Sequence, residues 1–232
     1  MRPPFAGFPF GGDGLGRDLF ARTLYGGRIS IIVGVMVALI TSAVGLIIGL
    51  IVGYFKVLDL VVMRVMDGLM AIPNILLAIA LMIVAGSSLR NVIIAISLPA
   101  IPRAVRLVRS MVLSIRELPY VEAATVTGAP TYKILLKHIL PSTLAPLSVQ
   151  ATFNCGIAII TESYLSFLGA GIPPEIPSWG NIMAEGRIHF MYAPWIIIIP
   201  GVFAGLTVLA INILGDNLRD LVDPKSTKRL AL

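Results

Sequence analysis

Residues 29–54 read ISIIVGVMVALITSAVGLIIGLIVGY, an unbroken apolar run without a charged side chain. A hydrocarbon core roughly 30 Å thick takes about 20 helical residues to cross, so this run predicts a membrane-spanning helix. Four further runs predict the same: Val61 to Ala85, Asn91 to Leu113, Thr143 to Leu168 and Pro194 to Leu214. They are continuous rather than alternating, which points to helices and not barrel strands, because backbone groups in lipid must be satisfied within each segment. The composition agrees, with 57% hydrophobic residues, 13% charged and a mean hydropathy of +0.93, too apolar for a soluble domain. The expected architecture is an all-α polytopic membrane protein with five transmembrane helices.

The 18 Lys and Arg outnumber the 12 Asp and Glu, and their placement orients the chain. If all five runs cross, Lys56, Arg64, Arg103, Arg106, Arg109, Arg116, Lys133, Lys137, Arg219, Lys225, Lys228 and Arg229 share one side. Only Arg2, Arg17, Arg22, Arg28, Arg90 and Arg187 fall on the other. The richer side is expected to be cytoplasmic, placing the C-terminus inside and residues 1–28 outside. Basic residues that flank spans are a topology signal, so nothing here calls for nucleic acid. Pro99 and Pro102 predict a kink in the Asn91–Leu113 run, whose charge asymmetry favours a full crossing over a re-entrant segment. Arg103, Arg106 and Arg109, at three-residue spacing, are expected as anchors near phospholipid headgroups.

Gly45, Gly49 and Gly53 repeat at four-residue spacing, which aligns three positions without side chains on one helical face and predicts close helix packing. Gly201 and Gly205 repeat the pattern. At 100° per residue, Gln150, Asn154 and Thr161 fall within an arc of roughly 40°, with Glu162 just off it. This polar stripe either lines a translocation pathway or bonds between helices, and both readings stay open. No G-x-x-x-x-G-K-[ST], H-E-x-x-H or G-x-S-x-G occurs, and the histidines are only His138 and His189. Neither catalysis nor a metal site is therefore expected, and energy for transport must come from a partner or a gradient. The single Cys155 lies mid-span, where an apolar packing role is expected.

Between the spans lies a charged, helix-prone stretch, ELPYVEAATVTGAPTYKILLKHILP at residues 117–141. It predicts a short helix over about 117–127, a backbone reversal at Gly128, and a second helix with Pro130 in its first turn. Glu122, Ala123, Ala124, Gly128, Leu140 and Pro141 match the EAA loop of binding-protein-dependent ABC importers, although His138 replaces the Ile of the general pattern. Further stretches match along the chain. They are Asp13 to Asp18, Leu24-Tyr25-Gly26-Gly27-Arg28, Met66-Asp67, Ala71-Ile72-Pro73, Ser166-Phe167-Leu168-Gly169, Pro177-Ser178-Trp179-Gly180, Ala193-Pro194-Trp195, and Asn212 to Asp220 with Asp223-Pro224. On these residues the chain resembles permeases of the dipeptide, oligopeptide and nickel branch.

The resemblance implies a MetI-like permease fold, usually of six spans, so the family's first helix is expected to be missing before Met1. It divides the chain into an external segment 1–28 and a permease domain 29–232, with a cytoplasmic coupling loop at 117–141 and an external loop at 169–193. It implies a multi-pass subunit of a prokaryotic inner membrane that works with a related second permease as a heterodimer. Two cytoplasmic ABC ATPases and an external solute-binding protein complete the implied assembly. This chain would carry no cofactor, ATP and Mg being used by the ATPases. Peptide is the expected cargo and nickel the alternative. A gradient-driven transporter using Glu162, Asp67 or Asp216 as an ion site is the reading from a different class.

Overall fold

Asp18 opens the first helix: its carboxylate accepts from the Phe20 N–H at 3.0 Å, an N-cap that starts α1 (Leu19–Tyr54) well before the apolar run. The computed structural model describes Pro4 and residues 9–222. Arg2, Asp223, Pro224, Lys225, Lys228, Arg229 and the Asp220 side chain, all invoked above, lie outside the described residues. The helices that follow are α2 (Lys56–Met70), α3 (Asn74–Ala85), α4 (Leu89–Ile115), α5 (Pro119–Val126), α6 (Thr131–Lys133), α7 (Leu140–Phe167), α8 (Trp179–Gly186) and α9 (Trp195–Val222). A π-helical stretch, Ile134–Ile139, joins α6 to α7.

The glycine face is a zipper. A Cβ on Gly45 would lie 2.4 Å from the Ala104 Cβ, and on Gly49 or Gly53 2.6 Å from the Cβ of Val108 or Val112. Only absent side chains allow this approach, and the rising residue numbers on both sides make α1 and α4 parallel. Helix α7 runs antiparallel to them, with Ser30 against Glu162 and Thr41 against Asn154. Helix α9 reverses again, with Gly215 over Thr152 and Asn212 beside Gly156. Gly201 and Gly205 make no comparable contact: a Cβ on Gly201 would meet only the Met183 sulfur at 3.6 Å, and on Gly205 nothing within 4 Å.

Four helices, α1, α4, α9 and the α6–α7 unit, are long and apolar enough to span a membrane, and α2 with α3 makes a fifth candidate bent by 87°. The expected continuous span from Val61 to Ala85 is thus broken at Ala71–Pro73. Pro73 has no N–H to donate and disfavours helical backbone at Ile72. By contrast, α4 passes through Pro99 and Pro102 without ending. Both prolines are buried, so neighbouring helices hold the backbone in place, whereas Pro73 is exposed.

At the end of the bundle opposite residues 117–141, Asp13, Arg17, Arg22 and Glu185 form one ion cluster. Arg22 bridges Asp13 at 2.7 Å and grips Glu185 with both terminal nitrogens at 2.6 and 2.8 Å. Arg17 touches the same carboxylates at 2.6 and 2.9 Å. This ties α8 to the start of α1. Burial alone would raise the Asp13 carboxyl, but hydrogen bonds from Arg17 and the Leu15 N–H outweigh it and hold the group below the usual carboxylate range.

Overpacking the zipper with Gly49→Leu is expected to cost about 1–3 kcal/mol and lower the thermal midpoint in detergent, while Gly205→Ala, inside a helix with open space around it, does not lower it. An equal response of the two variants would contradict the zipper. Asp13→Asn is expected to remove about 1.5–3 kcal/mol at neutral pH. A carboxyl depressed on folding contributes fully above its unfolded value, about 3.9, and loses that contribution as pH falls through the lower folded value. Thermal unfolding of wild type and Asp13→Asn should therefore differ by a constant amount above about pH 5 and converge below pH 4.

Candidate coupling segment and polar face

Helix α5 ends in a Schellman motif. The Gly128 N–H donates to the Thr125 carbonyl at 3.0 Å and the Ala129 N–H to that of Ala124 at 3.1 Å. Gly128 takes φ +78°, a left-handed value suited to glycine, with nothing near its Cβ direction. Pro130 follows as the N-cap of α6, one place before the expected first turn. Val121, the inward side chain of α5, packs in one cluster with Val112 and Ile115 of α4 and with Ile134 and Ile139. Glu122, Ala123, Gly128 and Pro141 are exposed, and Ala124 and Leu140 half-buried. Tyr120, Val126, Tyr132 and Leu136 add large exposed side chains to the same unit.

The π-helical stretch was not legible in the sequence. It spans His138, the position where this chain departs from the general EAA pattern. Pro141 cannot donate to the Lys137 carbonyl, and its ring would crowd that oxygen in a regular α-turn; the wider turn relieves this. The Tyr120 hydroxyl donates to the His138 carbonyl at 3.4 Å, which ties α5 to the stretch.

The polar stripe of α7 divides among three environments. Gln150 lines a cavity of about 1000 Å³ between α7 and α9, with Thr152, Asn212, Asp216 and Arg219 also on its wall. Its amide nitrogen donates to Asn154 at 3.0 Å, and Asn154, buried, donates to the Thr41 hydroxyl of α1 at 3.2 Å. Asn154 and Thr161 both border a small cleft that also reaches Asn74 and Arg103. The Thr161 hydroxyl bonds back to the Ile157 carbonyl at 2.8 Å.

Glu162 faces a different way and is fully enclosed. Its carboxylate accepts from Ser30 of α1 at 3.0 Å and from Ser166 at 2.8 Å. Ser30 in turn accepts from the Trp179 N–H at 3.2 Å, and the Trp179 indole donates to the Thr23 carbonyl at 2.9 Å. Glycines make the fit possible: a Cβ on Gly27 would strike the Trp179 ring at 2.7 Å, and one on Gly180 the Ser166 Cβ at 2.7 Å. The stretches around Ser166 and Trp179-Gly180 and the remote Gly26-Gly27 therefore close into one knot around a buried carboxylate. Glu162→Leu would strand the Ser30 and Ser166 hydroxyls. We expect about 1–3 kcal/mol of destabilisation and faster protease cleavage around α8, with Glu162→Gln much milder. Unchanged cleavage in Glu162→Leu would exclude this pinning role.

Comparison with known proteins places this architecture. The family described as binding-protein-dependent transport system inner membrane component matches residues 41–228. A probable peptide ABC transporter permease of Sinorhizobium fredii is 52% identical over 229 residues, 99% of this chain and 79% of that protein. The dipeptide transport system permease of Alkalihalophilus pseudofirmus is 42% identical over 97% of this chain and 74% of its own length. The glutathione transport system permease of Pectobacterium atrosepticum is 42% identical over 93% and 72%. An inward-facing structure of the MetNI methionine ABC transporter superposes with a TM-score of 0.69 at 18% identity, covering 88% of this chain and 97% of that one, a likeness of fold. The chain belongs to the binding-protein-dependent transport system inner membrane components, as a permease subunit of an ABC importer.

Proposed function

We propose that this permease carries short peptides across a prokaryotic inner membrane, with residues 117–141 and the C-terminus on the cytoplasmic side. The cargo reading is supported by relatives named for peptide, dipeptide and glutathione transport. The positive-inside distribution of Lys and Arg supports the orientation. In this reading the chain pairs with a related second permease, receives cargo from an external solute-binding protein, and holds no ATP or Mg itself. Two cytoplasmic ATPases use both.

The observation that carries the reading is the build of the coupling segment. Helix α5 presents Glu122 and Ala123 outward, closes on a Gly128 turn, and rests through Val121 on the same apolar cluster as α4 and the start of α7. Ala123 and Ala124 let an ATPase surface approach closely, and Glu122 offers a charge to pair there. ATP-driven closure of the ATPases then moves α5, and with it the helices on which Val121 rests, as rigid bodies. Gln150 and the cavity it lines form the cytoplasmic part of the pathway, with Asn154 and Thr161 further along. Glu162 holds the external knot instead of contacting cargo.

Co-expression with the partner subunits tests this. The Glu122→Lys, Gly128→Asp double variant is expected to lose the copurifying ATPases and peptide uptake at least tenfold, with its own thermal midpoint little changed. A left-handed backbone strains most side chains by roughly 1–2 kcal/mol but Asn and Asp least, because their short polar groups bond locally, so Gly128→Asn alone should be milder than Gly128→Val. Normal ATPase retention in the double variant would remove the coupling role from this segment.

A further inference from the structure

Helix α2 does not run with the bundle. Helix α3 does, since Ala78 and Met82 pack in one cluster with Val33 and Val37 of α1 and Val92 and Ile96 of α4. Helix α2 leaves α3 at 87°. Its ion pairs say the same independently. Asp59 and Asp67 stand about 12 Å apart along α2 at 1.5 Å per residue, yet they pair with Arg109 and Arg106, only about 4.5 Å apart along α4. That mismatch in spacing agrees with the 87° bend: α2 crosses α4 instead of running along it.

The pairs also fix its depth. Arg106 and Arg109 lie about 25–30 Å along α4 from Leu89, one hydrocarbon thickness away. Helix α2 therefore lies across the boundary on the side of residues 117–141. Helix α3, at 12 residues, reaches only about 18 Å, so α2 and α3 together make an L and not a straight crossing. The face of α2 turned from the protein carries Val57, Leu60, Val61 and Val65, all more than half exposed. With Asp59 and Asp67 neutralised by their arginines, Lys56 and Arg64 are left without an ion-pair partner among the described residues. Arg64 rises within the apolar arc, where its stem can lie along the valines while its guanidinium reaches phosphate.

We propose that α2 is an in-plane helix of the leaflet on the coupling-segment side, its Val57–Val65 face seated at the headgroup–acyl boundary and Lys56 and Arg64 bound to anionic phospholipid. Apolar burial supplies one part of such binding and attraction to anionic headgroups the other. The Asp59–Arg109 and Asp67–Arg106 pairs tie this lipid-bound helix to α4, so the leaflet becomes a footing for the bundle.

The test uses the chain assembled with its partner subunits in nanodiscs, which expose both faces and so do not depend on the orientation proposed above. In a Cys155→Ala background, Val61→Cys is labelled with a fluorophore, and thermal unfolding of the labelled protein confirms folding. Lipids spin-labelled near the headgroup should quench it at least twofold more than lipids labelled near the chain end. Replacing part of the phosphatidylcholine with phosphatidylglycerol should strengthen the shallow quenching, and Lys56→Gln with Arg64→Gln should abolish that dependence. Stronger quenching by the deep label would make α2 part of a buried crossing. Quenching by aqueous iodide alone would put the face in water, and protection from every quencher would mean that protein covers it. Shallow quenching indifferent to phosphatidylglycerol would remove the anionic-lipid site. Each of these results overturns the proposal.

Discussion

Three missing side chains organise the molecule. Gly45, Gly49 and Gly53 let α1 meet Ala104, Val108 and Val112 of α4 at distances no Cβ would tolerate. Because the two helices are parallel, the chain must return across their length between Tyr54 and Leu89. A straight return would need a full span. The sequence between them instead supplies a helix laid across the bundle, a proline break and a short rising helix, α3, packed on the first halves of α1 and α4. The steric contact thus dictates the topology, and the L-shaped return is how the chain satisfies it.

The bilayer explains which parts of the fold could be read from sequence. It demands length and internal hydrogen bonding from each segment separately, so α1, α4, α7 and α9 are visible as local runs. The break at Pro73 was hidden because Ile72 and Pro73 barely disturb the apolar run, while the expected kink at Pro99 and Pro102 does not end α4. The difference is tertiary. Buried prolines are held by their neighbours, and an exposed one is free to end its helix. The early start of α1 escaped for the opposite reason, since the Asp18 cap lies in a polar stretch that hydropathy does not register.

The coupling segment was legible because its geometry is local: Gly128 supplies the left-handed turn and Pro130 the next start. Its π-helical continuation depends on Pro141 several residues on and was missed. The polar stripe was legible only as an angle about an axis. That angle places Gln150, Asn154 and Thr161 on one side of α7, but what lies opposite differs at each level: a cavity, the Thr41 hydroxyl, a narrow cleft. Glu162 was recognisable as a costly buried charge and Ser166 lies one turn from it on α7, whereas its partner Ser30 and the linked Trp179 come from stretches whose meeting no linear reading shows.

These contacts also bear on how movement at one end reaches the other. Val121 of α5 shares a cluster with Leu50, Ala104, Val108 and Val112, the level at which α1 and α4 are zipped. Above the zipper, Asn154 joins α7 to α1 through Thr41, and Ser30–Glu162 joins them again beneath α8. The Arg22–Glu185 pair then fixes the far end of α8 to α1. Along this route the Cβ atoms of Ala104, Val108 and Val112, seated on the bare glycines of α1, resist sliding. Close-packed interiors transmit displacement instead of absorbing it. In the proposed coupling, a push on α5 would therefore reach α1, α4 and α7 together, as a tilt of the whole group.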